Sequence, residues 1–453
     1  MTHLCVREWG HVPIEKEPNG ERKKSFTRAQ AEVLHKAACA HPLADGEGAN
    51  IIGFGRDRLI ARQMVGVLAA RGCSLEILPK IEPEASEESD VTAIRSRLVH
   101  MLDVALDLGL SDGGAAPLAR QSETLLDILV RLFSTRLLDE ARRGLPRRYL
   151  ACEDDLSALR GRLNVTRQFT VNAVRPDRLA CRFDELSPDT PLLQIMKAAV
   201  VFLGKHARSH ETRRHLVELR HLLSDVTDIP PRALPWDRVQ LDRSNRRWRS
   251  LLTLAKLFLK KDWQATHHDT LAGDGITLLF PMNDLFEAYV AALMRRALSP
   301  HGIEVVAQGG FAKCLGEWVE GEDCRGAMFQ TRPDIILRRN GRDLAIIDTK
   351  WKQLATGEAK HGVSQADVYQ MMAYARLYSC RELMLLYPAT SAASEGARQA
   401  FGIHGGRERL RIATVDLAKD RAVIESALVD LALAILVGDQ LAPVATSARA
   451  AAA

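Results

Sequence analysis

Hydrophobic positions recur at helical spacing through the centre of the chain and at strand spacing towards its end. In residues 91–110, 122–144 and 191–207, apolar side chains return every three to four positions, which predicts three helices with one apolar face each. From about residue 266 the pattern changes to short aliphatic runs bounded by polar turns, which is typical of buried strands. These strands are predicted at 303–308, 333–339, 343–351 and 382–388.

The change in period divides the chain into four segments and indicates an α+β protein with several domains. Residues 1–90 combine strand patterns with a helix that Thr27 is expected to cap, which predicts a small α+β unit. Residues 91–265 are predicted to form a mainly helical middle region, and residues 266–440 an α/β domain with a mixed central sheet. The low-complexity end, 441–453, is predicted to be a flexible tail.

Composition argues against several classes of protein. The chain has 453 residues, and its N-terminus lacks the apolar run of a signal peptide. Its most apolar late segment, 427–438, is interrupted by Asp430 and is too short to span a bilayer, so no membrane association is expected. The eight cysteines form no CxxC pair, which favours a reducing cytoplasm over a disulfide framework or a zinc site. Because no GxxxxGK(S/T) phosphate loop is present, the chain itself is not expected to hydrolyse a nucleotide.

Charge is unevenly distributed along the chain. The net charge is +5 overall, but residues 131–250 carry 24 Lys and Arg against 15 Asp and Glu. This excess predicts a basic middle region that faces either nucleic acid or an acidic protein partner. The alternative interpretation is a solvated, arginine-rich helical surface.

Three charged side chains lie at the ends of two predicted strands. In TRPDIILRRNGRDLAIIDTKWK, residues 331–352, Asn340-Gly341 separates two apolar runs and predicts a hairpin. Asp348 and Lys350 are two positions apart, so they project from the same face of their strand. Asp334 begins the preceding strand, and the hairpin is expected to place it beside them.

Two carboxylates and a lysine in this arrangement suit the hydrolysis of a phosphodiester bond. Carboxylate oxygens bind Mg²⁺, which neutralises phosphate charge and makes a bound water a better nucleophile. Lys350 would position that water or stabilise the charge that develops on phosphorus. The alternative interpretation is an ordinary hairpin with charged strand ends.

The order of these residues resembles the PD-(D/E)xK nuclease superfamily. The motif is carried by Asp334, which follows a proline, and by Asp348-x-Lys350. Glu287, on a predicted helix with Asn283 as its expected N-cap, matches an acidic residue that these nucleases often carry before the core sheet. The resemblance implies catalysis by these four charged residues and metal binding by Glu287, Asp334 and Asp348. Without the resemblance, Glu287 would be interpreted as a surface residue.

A later helix adds a second match. In SQADVYQMMAYARLY, Gln370 and Tyr374 stand at i and i+4 on one helical face. This pattern resembles the QxxxY helix that flanks the active site of RecB-like nucleases, which implies a supporting role for both residues. The alternative is a surface amide and a core aromatic ring.

Longer segments resemble the McrC family, the nuclease subunit of McrBC restriction systems. The matching segments are FPMNDLFEAYV, TRPDIIL, IIDTKWK and DVYQMMAYA in the last third of the chain, together with 65–81, 159–169 and 181–200. The resemblance implies an N-terminal partner-binding region within 1–90 and a Mg²⁺-dependent PD-(D/E)xK endonuclease domain within 266–440. It also implies a partner similar to McrB, an AAA+ GTPase that forms hexamers, binds the GTP and reads 5-methylcytosine in double-stranded DNA.

Two other functions stay open from the residues alone. The chain would act as a regulatory scaffold if it stimulated an AAA+ GTPase without cutting DNA, and as a standalone nuclease if it cut without a partner. Cutting both DNA strands needs two active sites or two successive nicks, so self-association is one expected route.

Overall fold

The computed structural model describes most of the chain. The described residues are 2–15, 25–45, 48–80, 88–109, 123–243, 245–259, 276–310, 312–318, 320, 325–352, 354, 362–389 and 399–440. The predicted flexible tail, 441–453, therefore lies outside the described residues.

The N-terminal unit consists of two small sheets and one helix, as the sequence patterns predict. Helix α1 (Arg28–Cys39) begins directly after Thr27, whose hydroxyl accepts a hydrogen bond from the Gln30 amide in a capping box. One face of α1, including Ala31, Leu34 and Ala38, is buried. The strands are β1 (Thr2–Arg7), β2 (His11–Glu15), β3 (Phe26–Thr27), β4 (Ile52–Phe54), β5 (Arg58–Ala61), β6 (Met64–Ala70) and β7 (Cys73–Leu78).

A strand from much later in the chain completes one of these sheets. Strand β11 (Leu278–Pro281) lies within the segment predicted as the start of the C-terminal domain, yet it pairs antiparallel with β6. The sheet order is β1-β7-β6-β11, and the second sheet has the order β3-β2-β5-β4. The N-terminal unit and the later chain therefore share a sheet.

Gly66 allows β11 to approach β6 closely. Its φ is +126°, and a Cβ atom built on it would lie 2.0 Å from the carbonyl oxygen of Leu278. Only glycine fits such a position without movement of the backbone.

The Gly66→Ala variant is expected to lose at least about 2 kcal/mol of unfolding free energy, because backbone atoms of β11 would have to move. Gly72→Ala is a matched control in the β6–β7 turn, since its φ of +76° is also positive but no atom lies within 4 Å of the added Cβ. This control should lose only about 1 kcal/mol. Chemical denaturation measures both, and equal losses would contradict a role for close strand approach.

The middle region contains several helices, and it also contains a sheet that the hydrophobic pattern does not predict. The helices are α2 (Glu88–Ala105), α3 (Leu125–Arg142), α4 (Val165–Thr170), α5 (Pro191–Gly204), α6 (His210–Leu222) and α7 (Arg249–Leu259), with short 3₁₀ segments at Pro231–Ala233, Trp236–Arg238 and Arg246–Trp248. Strands β8 (Arg148–Leu156), β9 (Arg162–Leu163) and β10 (Leu179–Ser187) form an antiparallel sheet of order β8-β10-β9. Most side chains of this sheet are exposed, so it lacks the alternating buried face that identifies a strand in a sequence.

The C-terminal part is built around a mixed six-stranded sheet, in agreement with the predicted mixed central sheet. The strands of this part of the chain are β12 (Glu304–Ala307), β13 (Lys313–Glu317), β14 (Arg325–Gln330), β15 (Ile335–Arg339), β16 (Arg342–Thr349), β17 (Glu382–Pro388), β18 (Gln399–Gly402) and β19 (Arg409–Val415). The order in the six-stranded sheet is β12-β15-β16-β17-β19-β18, with parallel pairs at β16–β17 and β17–β19. The helices are α8 (Met282–Leu298), α9 (Gln365–Leu377) and α10 (Arg421–Gln440), and a 3₁₀ turn spans Ser299–His301. Strands β13 and β14 form a separate hairpin.

Alternate residues of the central sheet pack on different helices. Ile335 and Ile347 belong to a core that includes α8 and α10. Ile336 and Ile346 instead pack in a second core with Met371 of α9. The sheet is therefore the middle of three layers, and α9 is the crossover between the parallel strands β16 and β17. Within the described residues, no helix is both long and apolar enough to cross a membrane.

Candidate active site

The β15–β16 hairpin brings Asp334 and Asp348 together. Asn340 and Gly341 form its two-residue turn, with φ values of +53° and +77° that fit a type I′ turn. Ile335 pairs with Ile347, so the position before β15 faces the position after Ile347. Asp334 and Asp348 occupy these two positions, as the sequence predicts.

Asp348 and Lys350 form a buried ion pair. Asp348 is 0% exposed, and Lys350 Nζ lies 2.7 Å from its Oδ2 atom. Apart from this contact with Lys350, neither carboxylate oxygen has a hydrogen-bond partner among the residues that the structure describes. Burial and the charge of Asp334 raise the pKa of Asp348 to about 6, against the opposing effect of Lys350. Burial lowers the pKa of Lys350, but its ion pair with Asp348 outweighs this and raises it, so the ammonium form persists.

Asp334 is held by the strand opposite it. Its Oδ2 atom accepts hydrogen bonds from the Thr349 backbone amide at 2.8 Å and the Thr349 hydroxyl at 2.9 Å. Burial nevertheless raises the pKa of Asp334. Because both of these donors point at Oδ2, Oδ1 keeps its lone pairs for a ligand.

Helix α9 supports Lys350 through a chain of hydrogen bonds. Lys350 Nζ donates to Gln370 Oε1 at 3.2 Å, and Gln370 Nε2 donates to the Tyr374 hydroxyl at 2.8 Å. That hydroxyl donates to the Arg332 carbonyl oxygen at 3.3 Å. The predicted pair therefore connects the lysine to the segment that precedes Asp334, as a supporting role requires.

Asp367 is a further acidic residue of the site that the sequence analysis does not identify. It lies in the first turn of α9, where its amide donates to the capping hydroxyl of Ser364. Its carboxylate is 3.7 Å from Lys350 Nζ and 3.3 Å from Lys352 Nζ. An acidic residue in a first helical turn is common, since it interacts favourably with the helix dipole. The sequence therefore does not indicate that Asp367 also contacts the two lysines.

Glu287 lies at the edge of this network, on α8. The helix begins at Met282 after Pro281, so the expectation of Asn283 as N-cap is wrong. Burial, followed by the charge of Asp334, raises the pKa of Glu287 to about 7, while a hydrogen bond with Gln308 lowers it. Gln308 also donates its backbone amide to the Asp334 carbonyl oxygen at 2.7 Å. Glu287 is thus linked to Asp334 through its charge and through Gln308.

The donor set suits a cation that needs few protein ligands. Among the described residues, no three His, Cys, Asp or Glu side chains are grouped closely enough to form a complete metal cage. Mg²⁺, however, is usually bound by one or two carboxylates together with waters and substrate phosphates. The Asp348 carboxylate has no donor other than Lys350 among the described residues and lies beside Asp334, so it fits that requirement.

The basic middle region contains an arginine-lined cavity of about 420 Å³ away from these carboxylates. Glu140 forms ion pairs with Arg143 at 2.9 Å and with Arg247 at 2.7 Å. Arg136 donates to the carbonyl oxygens of Leu108 and Gly109. Part of the positive charge predicted from the sequence is therefore neutralised within the fold.

Comparison with known proteins identifies the family. A family model described as "McrBC 5-methylcytosine restriction system component" matches residues 59–388, well over half of the chain. No protein of curated function matches it.

Two solved structures share the fold. One is a refined half-complex from a tetradecameric assembly of Thermococcus gammatolerans McrB AAA+ hexamers with bound McrC, at 19% identity and a TM-score of 0.68, covering 95% of this chain and 100% of that chain. The other is the cryo-EM structure of the Thermococcus gammatolerans McrBC complex, at 22% identity and a TM-score of 0.50, covering 66% of this chain and 88% of that chain. At these identities the structures show a common fold, and the family match extends the relationship to the sequence. The chain therefore belongs to the family of McrBC 5-methylcytosine restriction system components.

Proposed function

We propose that this chain is the endonuclease subunit of its restriction system and cleaves DNA phosphodiester bonds with Mg²⁺ at a PD-(D/E)xK site. The observation that carries the proposal is the buried Asp348 carboxylate, which lies 2.7 Å from the Lys350 ammonium and faces Asp334 across the hairpin. Apart from Lys350, no described residue donates a hydrogen bond to this carboxylate. A buried carboxylate with so few donors is costly, so a structural role explains it poorly.

Each residue has a role in this proposal. Asp334 and Asp348 would hold Mg²⁺ through their carboxylate oxygens, with Glu287 beside Asp334. When bound, Mg²⁺ supplies neutralisation of the phosphate charge and activation of the attacking water. Lys350 orients that water or stabilises the developing negative charge. Gln370 and Tyr374 fix the lysine in position through hydrogen bonds.

We further infer that the chain works with an AAA+ GTPase. In one of the similar solved structures, McrC is bound to McrB AAA+ hexamers. A comparable hexamer would bind GTP and recognise modified cytosine in double-stranded DNA, while this chain would stimulate GTP hydrolysis. The N-terminal region, 1–90, stays a prediction as the partner-binding region.

The β8-β10-β9 sheet and its connections offer a second surface for that partner. Nine large apolar side chains between residues 149 and 186 are exposed, some of them more than 70%. Exposed apolar groups at this density are typical of a surface that another protein covers. They are Tyr149, Leu150, Leu159, Leu163, Val165, Phe169, Val171, Val174 and Leu186.

Substitution of Lys350 tests the proposal against a scaffold function. Lys350→Ala should reduce cleavage of methylated DNA by at least about 100-fold, because charge stabilisation at the phosphate is lost. Stimulation of the partner GTPase should stay at the wild-type level. Lys352→Ala is the matched control, since Lys352 also pairs with Asp367 but its side chain is 53% exposed.

The readouts separate three outcomes. If Lys350→Ala loses cleavage and Lys352→Ala keeps it, the result supports the nuclease function. A wild-type chain that stimulates the GTPase but never cuts DNA would show a scaffold, and cleavage by the purified chain with Mg²⁺ and no partner would show a standalone nuclease.

Mg²⁺ affinity should rise with pH. Below a pKa of about 6 for Asp348 and about 7 for Glu287, a proton must leave before either carboxylate binds the metal. Calorimetric titration from about pH 5 to about pH 8 measures this dependence. In Glu287→Gln, the Mg²⁺ affinity should stop rising at about pH 6, which is the pKa of Asp348. An affinity independent of pH would contradict metal binding by these raised carboxylates.

A further inference from the structure

A buried carboxyl group in the N-terminal unit contacts the segment that carries Lys350. Glu8 directly follows β1 and is 2% exposed. Its Oε2 atom accepts a hydrogen bond of 3.0 Å from the indole nitrogen of Trp351, which is 343 positions away and immediately follows Lys350. The contact joins the beginning of the chain to the candidate active site.

Glu8 is also held by the end of β7 and the residues that follow it. The Glu8 amide donates to the Leu78 carbonyl oxygen at 2.9 Å, and Glu8 Oε2 also accepts from the Lys80 amide at 3.3 Å. Glu8 is therefore anchored to the end of β7 by two hydrogen bonds. Its second carboxyl oxygen, Oε1, is buried and has no hydrogen-bond partner among the residues that the structure describes.

Trp351 connects this anchor to both sides of the candidate site. Its ring packs against Phe286 with centroids 5.4 Å apart, and Phe286 precedes Glu287 on α8. On the other side, the Lys350 amide is held by the Leu386 carbonyl oxygen at 2.9 Å. The indole therefore lies between Glu8 and the helix that carries Glu287, on the residue next to Lys350.

We propose that Glu8 is a positioning residue that sets the geometry of the nuclease site through its hydrogen bond to Trp351. The inference rests on the proposed nuclease function, and it assigns to the N-terminal unit a part in arranging the site. If Trp351 served stability alone, apolar contacts would hold it equally well. A buried carboxyl group with one unsatisfied oxygen costs free energy, and its retention points to a requirement for indole orientation.

Burial raises the pKa of Glu8 to about 7, and the hydrogen bonds from Trp351 and Lys80 oppose that rise. The neutral amide of glutamine keeps an acceptor for both donors. Glu8→Gln is therefore the conservative variant, Glu8→Ala removes the acceptor, and Trp351→Phe removes the donor while it keeps a ring against Phe286.

The test compares these variants in the full chain with its AAA+ partner and methylated DNA. Glu8→Ala should reduce kcat for cleavage by about 10-fold to 100-fold with little change in KM, because a small displacement of reacting groups is costly. Glu8→Gln should restore most of the rate. Trp351→Phe should reduce the rate similarly, and the Glu8→Ala/Trp351→Phe double variant should be no slower than either single variant. Wild-type kcat in folded Glu8→Ala, or additive losses in the double variant, would overturn the proposal.

A readout that needs no cleavage separates the two proposals. With ¹⁵N-labelled lysine and tryptophan, the Lys350 amide and Trp351 indole resonances should shift in Glu8→Ala and return towards wild-type positions in Glu8→Gln. Unchanged resonances would overturn the positioning role alone. A wild-type chain that cuts no DNA, with the resonances shifting as described, would overturn the nuclease function while the Glu8–Trp351 linkage stands.

Discussion

The Asp348→Asn variant is expected to lose DNA cleavage by at least about 100-fold while melting no lower than the wild-type chain. Asparagine has the same shape as aspartate but cannot carry the negative charge that attracts a metal ion. The folded-state pKa of about 6 lies above the ordinary 3.8, so ionisation of this carboxyl group costs the folded state free energy at neutral pH. The neutral amide removes that cost, and Lys350 keeps Gln370 and Asp367 as neighbours.

A second aspartate on the same strand provides the control. Asp343 lies near the start of β16, where it pairs with Arg338 at 2.6 Å. Asp343→Asn should leave cleavage at the wild-type rate. Cleavage assays and thermal melts of both variants are the measurements. An Asp348→Asn chain that cuts at the wild-type rate would remove this carboxylate from the mechanism, and a large drop in melting temperature would indicate that its role is structural.

The largest loss of stability is expected from Arg95→Ala. Arg95 donates two hydrogen bonds to Glu76, at 2.9 and 2.6 Å, and both side chains are buried. Glu76 also accepts from the Leu125 amide at 2.8 Å, so this carboxylate joins β7 to the first turn of α3. Without Arg95 the buried carboxylate would lose its counter-charge, at a cost of about 3–5 kcal/mol.

An exposed pair of the same type provides the comparison. Arg142 pairs with Glu218 at 2.7 Å, but both side chains are at least a third exposed. Arg142→Ala should cost less than about 1 kcal/mol in denaturant unfolding. If the two variants lose the same stability, burial is not what makes the Arg95–Glu76 pair important.

The same pair predicts acid sensitivity. Burial raises the pKa of Glu76, but hydrogen bonds from His3 and Arg95 outweigh it and lower the pKa to about 2, compared with the ordinary 4.5. A lowered folded-state pKa gives stability that is fully present above the unfolded value. That stability is lost as the pH falls from about 4.5 towards about 2.

Local geometry explains which parts of the site could be predicted from the sequence. The two-residue spacing of Asp348 and Lys350 determines a shared strand face, and Asn340-Gly341 determines the hairpin register that brings Asp334 opposite. The contact of Lys350 with Gln370 depends on a crossover helix between parallel strands. Spacing alone does not predict it, and the family resemblance implies only a supporting role for Gln370 and Tyr374.

The unpredicted parts involve residues whose surroundings are distant in sequence. Strand β8 carries Glu153, Asp154 and Asp155 in succession, so no alternating apolar pattern marks it. Asp367 resembles an ordinary helix-start residue until the fold brings Lys350 beside it. The Glu8–Trp351 hydrogen bond joins the residue after β1 to the segment that carries Lys350, across almost the whole chain, and nothing near Glu8 in the sequence indicates its partner.

The pairing of β11 with β6 also limits how this protein can change by recombination. Strand β11 completes the N-terminal sheet and leads directly into α8, which carries Glu287. A crossover between related genes anywhere from β6 to β11 would join two halves of one sheet from different ancestors. The proposed partner-binding and nuclease portions are thus expected to be inherited as one block, and sequence changes in β6 and β11 are expected to occur in pairs.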